Sequence, residues 1–205
     1  ILGVLDKQQI SATFFFTADA AWKNQEMAKA VLDAGHEIGC HSLFHETVGD
    51  ALFEIPGAMP LLPEEVPNRI KRATEEVEKA AGVRPVSFRC PRLWGSTAVS
   101  NALEDLGYAT DATYPMYFYR EQLEPYHPSR EDWTKKGDMK LIQLPNFADL
   151  SMPSCVCVID RARNIRKWFD VPKNPATGEA RAMGIGFGPD GDLYIVDNPG
   201  WLGRK

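Results

Sequence analysis

The chain has 205 residues, of which 44% are hydrophobic and 25% are charged, and its formal net charge is −5. These values are typical of a globular protein of one or two domains and exclude disorder for the bulk of the chain. Apolar runs stay below the roughly 20 residues of a membrane span. A mildly acidic chain whose basic cluster at 161–167 is short and interrupted is not expected to bind nucleic acid.

The chain opens at Ile1, without a methionine or a signal peptide. Residues 1–9 have the apolar spacing of a helix that is already under way. We therefore expect a fragment whose upstream part is missing. A targeting signal would lie in that part, so the sequence leaves the localisation open, and it does not predict an oligomeric state.

Up to residue 111 the chain alternates between short apolar runs and segments with helical spacing. The expected strands are 11–17, 36–40, 86–89 and 108–111, and the expected helices are 1–9, 24–34, 64–81 and 96–106. This alternation predicts an α/β fold with a parallel sheet, either a barrel or an open sheet. Segments 46–63 and 115–140 are rich in proline and are expected to form long loops, and 141–145 is a further possible strand.

The pattern changes after about residue 154, where only strand-like runs remain. The expected strands are 155–160, 164–169, 183–187 and 193–196, and Gly-Pro-Asp-Gly at 188–191 is a hairpin turn signal. We predict two domains, an α/β domain over 1–153 and a β-meander over 154–205. The four cysteines, at positions 40, 90, 155 and 157, are too few for a disulfide scaffold and are expected to be buried thiols.

The sequence HSLFH at 41–45 carries the clearest chemical signal. Two histidines four residues apart, in a helical turn directly after a strand, present both imidazoles on one side. Two histidines and one carboxylate form a familiar hydrolytic metal site. His41, Arg89 and Asp111 all lie at the carboxyl ends of predicted strands, where α/β folds carry their active sites. His36 is expected to point away, because side chains alternate along a strand.

These segments together resemble the polysaccharide deacetylase family (carbohydrate esterase family 4, the NodB homology domain). Residues 35–45 are similar to the family's second motif, H-[ST]-x-x-H, and 11–16 are similar to the strand after its first helix. Residues 89–92 resemble the third motif, R-x-P followed by an aromatic residue, with Arg92 in the aromatic position. Residues 111–115 occupy the region of the fourth motif without reproducing D-x-x-D-W. The resemblance covers the whole predicted α/β domain.

The resemblance implies an incomplete (β/α) barrel whose first strand is missing, followed by the β-meander. It implies a metal-dependent hydrolase of non-peptide C–N bonds, which deacetylates N-acetylated sugars or hydrolyses small or cyclic amides. The branch that acts on smaller amides fits better, because it also has long aromatic loops. His41 and His45 would bind a divalent metal, most often zinc. Arg89 would orient a catalytic aspartate through a charge-assisted hydrogen bond, and Asp111 is a second catalytic candidate. The expected partner is a carbohydrate or a small amide.

Two parts of the family pattern are not visible in the sequence. The paired aspartates of the first motif, one a general base and the other a metal ligand, would lie just before Ile1. The late L-x-H motif, which supplies a general-acid histidine, has no match, and the only histidine after His45 is His127. We therefore expect this chain to be nearly inactive, because loss of a general base costs roughly 10²–10⁴-fold in rate.

Several residues also have structural interpretations. Arg89 is also suited to an ion pair at a strand end, and Asp111 to a loop cap. Cys90 is either a third, soft metal ligand or a buried thiol. Six aromatic residues in the middle of the chain are suited to stacking on sugar rings or to packing. They are Trp94, Tyr114, Tyr117, Phe118, Tyr119 and Trp133.

Residues 182–198 resemble one blade of a gluconolactonase- or regucalcin-type propeller, in which Asp197 or Asn198 would be a candidate calcium ligand. One blade cannot close a propeller. Two alternative functions therefore stay open beside the hydrolase. One is a non-catalytic module that binds carbohydrate or metal. The other is part of a propeller lactonase or scaffold.

Overall fold

The computed structural model describes residues 1–146 and four later strands, and it divides the chain into two compact units, Ile1–Ala148 and Asp149–Lys205. Each unit is considered by itself. Among the described residues, no helix combines the length and the apolar character that crossing a bilayer requires.

The first unit is built on a five-stranded parallel sheet, which confirms the predicted α/β class. Its strands are β1 (Thr13–Phe16), β2 (Glu37–Cys40), β3 (Ser87–Phe88), β4 (Thr110–Asp111) and β5 (Ile142–Gln143). They are hydrogen-bonded in the order β1-β2-β3-β4-β5, so neighbours in sequence are neighbours in the sheet. The carboxyl ends of all five strands therefore lie along one edge.

Helices precede or connect these strands. They are α1 (Leu2–Gln8), α2 (Ala18–Lys23), α3 (Gln25–Asp33), α4 (Val66–Ala81), α5 (Thr97–Asp105) and α6 (Met116–Tyr119). Helix α4 buries Ile70, Ala73 and Val77 on one face, and it ends at Gly82, whose φ of +75° suits glycine. Helix α5 begins after Ser96, whose hydroxyl accepts the N–H of Val99 at 3.2 Å.

Helix α2 was not predicted from the sequence. It follows β1 directly, where the side chain of Thr17 accepts the N–H of Ala20 at 3.1 Å and so caps the helix. Asn24 lies between α2 and α3 with a non-helical φ of −136°, which separates the two helices. The prediction that a helix starts after Asn24 was correct for α3, but the sequence did not predict that another helix, α2, ends directly before Asn24.

The register of the sheet sorts the residues at the strand ends between its two faces. Cys40 pairs with Phe88, Phe88 with Asp111, and Asp111 with Gln143. Side chains at paired positions of parallel strands share a face, and the next residue along each strand points to the other face. Cys40 and Phe88 are part of the buried hydrophobic core. His41 and Arg89, one position further, therefore belong to the opposite face.

The second unit is described only for its four strands. Strand β6 (Cys155–Ile159) pairs antiparallel with β7 (Ile165–Asp170), and β8 (Ala182–Phe187) pairs antiparallel with β9 (Leu193–Asp197). These strands match the predicted ones to within two residues at each end. The turn at 188–191 and Asn198 lie outside the described residues, as does the side chain of Asp197.

Candidate metal and active site

The two histidines of the 41–45 segment come together at the carboxyl end of β2. Their ring centroids are 5.0 Å apart, and the rings are inclined at 64° to each other. The segment is not the helical turn that the spacing predicted. Ser42 and His45 have φ values of +68° and +65°, in the left-handed region. The chain thus folds back in an irregular turn, and that turn brings the His45 ring to the His41 ring.

The imidazole of His41 is held in one tautomer by the neighbouring strand. Its Nδ1 lies 2.7 Å from the carbonyl oxygen of Arg89, so Nδ1 carries the proton and donates it. The Nε2 atom is left with a lone pair. Burial lowers the pKa of His41 to about 4. Burial, and after it the charge of Arg92, lowers the pKa of His45. Both rings are therefore neutral at physiological pH, as metal-binding imidazoles must be.

The pair fits two ligands of a divalent metal site. A backbone carbonyl bonded to the far nitrogen of a ligand histidine is a common arrangement in metalloproteins. Catalytic zinc usually has three protein ligands. Within the described residues, however, no group of three or more His, Cys, Asp or Glu side chains is placed to hold a metal. The histidine pair would need a further ligand from elsewhere.

Cys90 does not supply that ligand. Its side chain is fully buried in the hydrophobic core with Cys40 and Phe88, on the face of the sheet opposite to His41. Burial also raises the pKa of its thiol well above the ordinary value. Cys90 and Cys40 are both free and buried, in agreement with the expectation of buried thiols.

Arg89 lies on the same face of the sheet as His41, and its guanidinium contacts neutral groups. Nε donates to the carbonyl oxygen of Ala112 at 3.0 Å, and Nη2 donates to Oδ1 of Asn146 at 3.0 Å. The guanidinium carbon lies 4.9 Å from the centroid of the Phe15 ring. An ion pair at a strand end was the structural alternative for Arg89, but its contacts are with a carbonyl, an amide and an aromatic face.

Sequence reasoning missed Asn146. Its Nδ2 donates to the carbonyl of Ala112 at 2.6 Å while its Oδ1 accepts from Arg89, so it fixes the arginine side chain. His41 and Arg89 directly follow β2 and β3, whereas Asn146 lies three residues after the end of β5. It does directly follow the strand that the sequence predicted at 141–145. The rule that selected those residues, a polar side chain just after a strand, would have found it.

The structure does not bring Asp111 to the histidine pair. Its register places it on the core face, and its side chain is 0% exposed. One carboxylate oxygen accepts from Thr113 and the other accepts from Nε2 of Gln143 at 3.0 Å. Burial raises the pKa of Asp111 to about 7. Asp111 therefore contacts protein groups rather than a surface that a substrate reaches, and its catalytic role stays a prediction.

Arg92 stabilises the segment that follows the histidine pair. Its φ of +60° and that of Leu93, +58°, are both left-handed. The Nη1 atom donates to the carbonyl oxygen of His45 and to Oγ1 of Thr47, each at 3.2 Å. The guanidinium carbon lies 5.9 Å from the centroid of the Trp94 ring. Arg92 thus places a cation beside His45, in the position where the motif usually has an aromatic ring.

Most of the aromatic candidates for ring stacking are part of the interior. Trp94 and Tyr114 are 0% exposed, and Trp133 packs with Tyr114 and Tyr126 in a small aromatic cluster. Tyr119 packs against that cluster. Phe118, by contrast, is 41% exposed and stacks against Phe53 with ring centroids 6.0 Å apart. The side chain of Tyr117 lies outside the described residues.

His36 is buried and its ring packs on Phe14, on the core face, as the alternation predicted.

The sequence and the fold are both similar to known proteins. The family model described as polysaccharide deacetylase matches residues 1–110. The uncharacterized protein YlxY of Bacillus subtilis is 31% identical over 91 residues, which cover 44% of this chain and 25% of YlxY. The peptidoglycan-N-acetylmuramic acid deacetylase PdaA of the same organism is 29% identical over 111 residues, which cover 54% of this chain and 38% of PdaA.

Two solved structures share the fold. A putative polysaccharide deacetylase from Mycobacterium smegmatis superposes with a TM-score of 0.55 and 27% identity, over 71% of this chain and 44% of that one. Puue allantoinase superposes with a TM-score of 0.50 and 17% identity, over 72% of this chain and 42% of that one. The chain thus spans less than half the length of these relatives. Since the family model covers more than half of its residues, the chain belongs to the polysaccharide deacetylase family.

Proposed function

We propose that the chain carries part of the active site of a metal-dependent hydrolase of non-peptide C–N bonds, with His41 and His45 as two ligands of a divalent metal, zinc in the first instance. The observation that carries the proposal is the His41–His45 pair. The two rings are adjacent, and the Nδ1 of His41 is bonded to the carbonyl of Arg89. Bound zinc would supply the Lewis acid for hydrolysis of an amide.

The substrate class that we infer is an N-acetylated carbohydrate. PdaA, 29% identical to this chain, is named as a deacetylase of peptidoglycan N-acetylmuramic acid. Small or cyclic amides, which the long aromatic loops suggested, are the second candidate substrates. Turnover of both classes belongs in the same experiment.

The residues around the pair have positioning roles in this proposal. The backbone of Arg89 fixes the His41 tautomer, and its guanidinium places a positive charge on the face that carries the imidazoles. That charge is suited to orienting a carboxylate, as the family resemblance implies. Asn146 keeps the guanidinium in place. Asp111 interacts electrostatically with Arg89, so in this proposal its effect on the site is indirect.

We also propose that these 205 residues alone hydrolyse their substrate slowly. They contain no adjacent pair of aspartates, which the first family motif would supply. Among the described residues, no third His, Cys, Asp or Glu side chain is grouped with the histidine pair to hold a metal. The hydrolysis needs both groups, the aspartate as a base and the third ligand to hold the metal.

The consecutive order of the parallel strands is consistent with the wall of a (β/α) barrel, and we propose that architecture for the complete active site.

The second candidate function is a module that binds metal or carbohydrate without catalysis, favoured by the same two-ligand site. The propeller interpretation rests on the sequence of 182–198 alone and stays a prediction.

The test combines calorimetric zinc titration with turnover of an acetylated chitooligosaccharide and of a cyclic amide. We expect measurable zinc binding and slow release of acetate that exogenous formate accelerates, because formate is a carboxylate base. A non-catalytic module would bind zinc, and formate would not accelerate the release of acetate. Rapid turnover without added base would contradict the assignment of a missing base. Absence of zinc binding would contradict the metal site.

A further inference from the structure

Glu46, the residue after His45, gathers four hydrogen-bond donors around one carboxylate. Oε2 accepts the N–H of Phe44 at 2.6 Å and the hydroxyl of Ser42 at 3.2 Å. Oε1 accepts the N–H of Leu43 at 3.3 Å and Nη1 of Arg69 at 3.3 Å. The Glu46 side chain is 18% exposed. These bonds lower the pKa of Glu46 although burial alone would raise it, so the carboxylate is ionised.

These contacts explain how the irregular 41–46 turn is held. Ser42 and His45 adopt left-handed backbone conformations, which are unfavourable for a residue with a side chain. The Ser42 hydroxyl accepts the N–H of His45 at 3.1 Å while it donates to Glu46. The N–H groups of Leu43, Phe44 and His45 are thus satisfied by the Glu46 carboxylate, directly or through Ser42.

The same contacts show why Glu46 is not the missing third ligand. A carboxylate next to His45 is the obvious candidate from the sequence. Both of its oxygens, however, are directed at the backbone of the turn and at Arg69. Their role is to shape the turn that carries His45, not to reach the metal.

Arg69 connects this turn to a helix outside all the family motifs. It lies in α4, and its side chain is 33% exposed where it meets Glu46. The turn is also bonded to the start of α2, because its carbonyls at Ser42 and Leu43 accept the N–H groups of Ala18 and Asp19 at 3.0 and 3.1 Å. The Glu46 carboxylate is therefore held between the turn and α4.

We propose that Glu46 is a positioning residue for the His41–His45 pair, and that Arg69 holds Glu46 in place. The proposal rests on the metal site proposed above. The role of Glu46 in holding the turn does not depend on the metal, because the carboxylate fixes the backbone from which the His45 ring projects. Loss of the carboxylate releases the two left-handed residues and separates the rings.

The test uses Glu46→Ala, Glu46→Gln and Arg69→Met, with Arg72→Met as the matched control. Arg72 is an exposed arginine on the same helix α4. Zinc affinity is measured by calorimetry on each folded variant. We expect Glu46→Ala to weaken zinc binding by about 10- to 100-fold, the usual effect of losing an outer-shell partner. Arg69→Met should weaken it several-fold, and Arg72→Met should leave it unchanged. Glu46→Gln, which keeps one accepting oxygen, should lie between the wild type and Glu46→Ala.

A metal-free measurement separates this proposal from the metal site. Nuclear Overhauser contacts between the His41 and His45 rings, and amide exchange at Leu43 and Phe44, are recorded without zinc. We expect the ring contacts to weaken and the exchange to accelerate in Glu46→Ala, or in Glu46→Gln if the alanine variant does not fold. Unchanged ring contacts with zinc affinity within about threefold of wild type would overturn the proposal. A wild type that binds no zinc would refute the metal site, while the ring contacts would still decide the role of Glu46.

Discussion

Replacing Asp111 with asparagine should change the stability of the fold in a strongly pH-dependent way. Asp111 is fully buried, and burial raises the pKa of its carboxyl from 3.8 to about 7. Thr113 and Gln143 donate to it, and Arg89 attracts its charge, but these influences only partly offset the burial. Cys90 and Tyr126 also lie within electrostatic range of Asp111, and the negative charge of an ionised Asp111 raises the pKa of both.

The sign and size of the effect follow from this shift. Below about pH 4 the carboxyl is protonated in both the folded and the unfolded chain and costs nothing. As the pH rises from about 4 to about 7 the unfolded chain loses the proton first, so the free energy of unfolding falls. Above about pH 7 the loss is complete and amounts to about 4 kcal/mol, from 1.36 kcal/mol for each pKa unit. Asparagine does not ionise, so the variant escapes this loss.

The neighbouring glutamine supports the substitution. Within the described residues, the buried Oε1 of Gln143 has no hydrogen-bond partner. Rotation of the Gln143 amide would let Oε1 accept from the Nδ2 of an asparagine at 111, while Thr113 continues to donate to its oxygen. The variant therefore keeps the hydrogen bonds and loses only the charge.

The assay is urea unfolding of both proteins between about pH 4 and pH 8, followed by circular dichroism. We expect the stability of Asp111→Asn minus that of the wild type to increase with pH up to about pH 7 and then to level off. Asp132→Asn is the control. The hydroxyl and the N–H of Thr134 lower the pKa of Asp132 below its ordinary 3.8, so both states are ionised over this range and its difference should stay nearly constant with pH. A difference for Asp111→Asn that does not vary with pH would show that burial does not raise the pKa of Asp111.

Three further substitutions test the packing and the helix capping. Gly49→Ala should destabilise the fold by about 1–3 kcal/mol or more, because the new Cβ would lie 2.0 Å from the carbonyl oxygen of Trp94. Gly57→Ala, with open space around it and a φ of +79°, should cost only about 1 kcal/mol, and equal losses at both sites in urea unfolding would contradict this. Ser96→Ala should cost about 1 kcal/mol, because the N–H of Val99 loses its cap, and an unchanged unfolding midpoint would argue against the cap.

The sequence predicted the regular elements of the first unit well where local signals were strong. Helix α4 has apolar residues at helical spacing and Gly82 at its end, and both signals act within the helix itself. The segment around His41 was harder. Its spacing of four residues suggested a helical turn, but the Glu46 carboxylate captures the N–H groups that a helix would use. A helix needs its N–H groups bonded to its own carbonyls, and that competition is not visible in the spacing.

For the candidate site, the sequence predicted which residues lie at the strand ends but not which face of the sheet each one is on. His41 and Arg89 were correctly expected at one edge of the sheet, and the hydrogen bond of His41 to the Arg89 carbonyl brings them into contact. Asp111 satisfied the same sequence rule, yet its side chain is on the core face. A shift of one residue in register exchanges the two faces of a strand. The register depends on contacts between distant segments, so the sequence alone did not distinguish Asp111 from Arg89.

Zinc titration of the single-histidine variants shows whether His41 and His45 together hold a metal, as we propose. Calorimetry is performed on the wild type, His41→Ala, His45→Ala and, as control, His127→Ala, an exposed histidine outside the 41–46 turn. We predict one zinc site in the wild type, unchanged in His127→Ala and weakened by at least about tenfold in each of the other two variants. Zinc binding that survives unchanged in both His41→Ala and His45→Ala would contradict the claim.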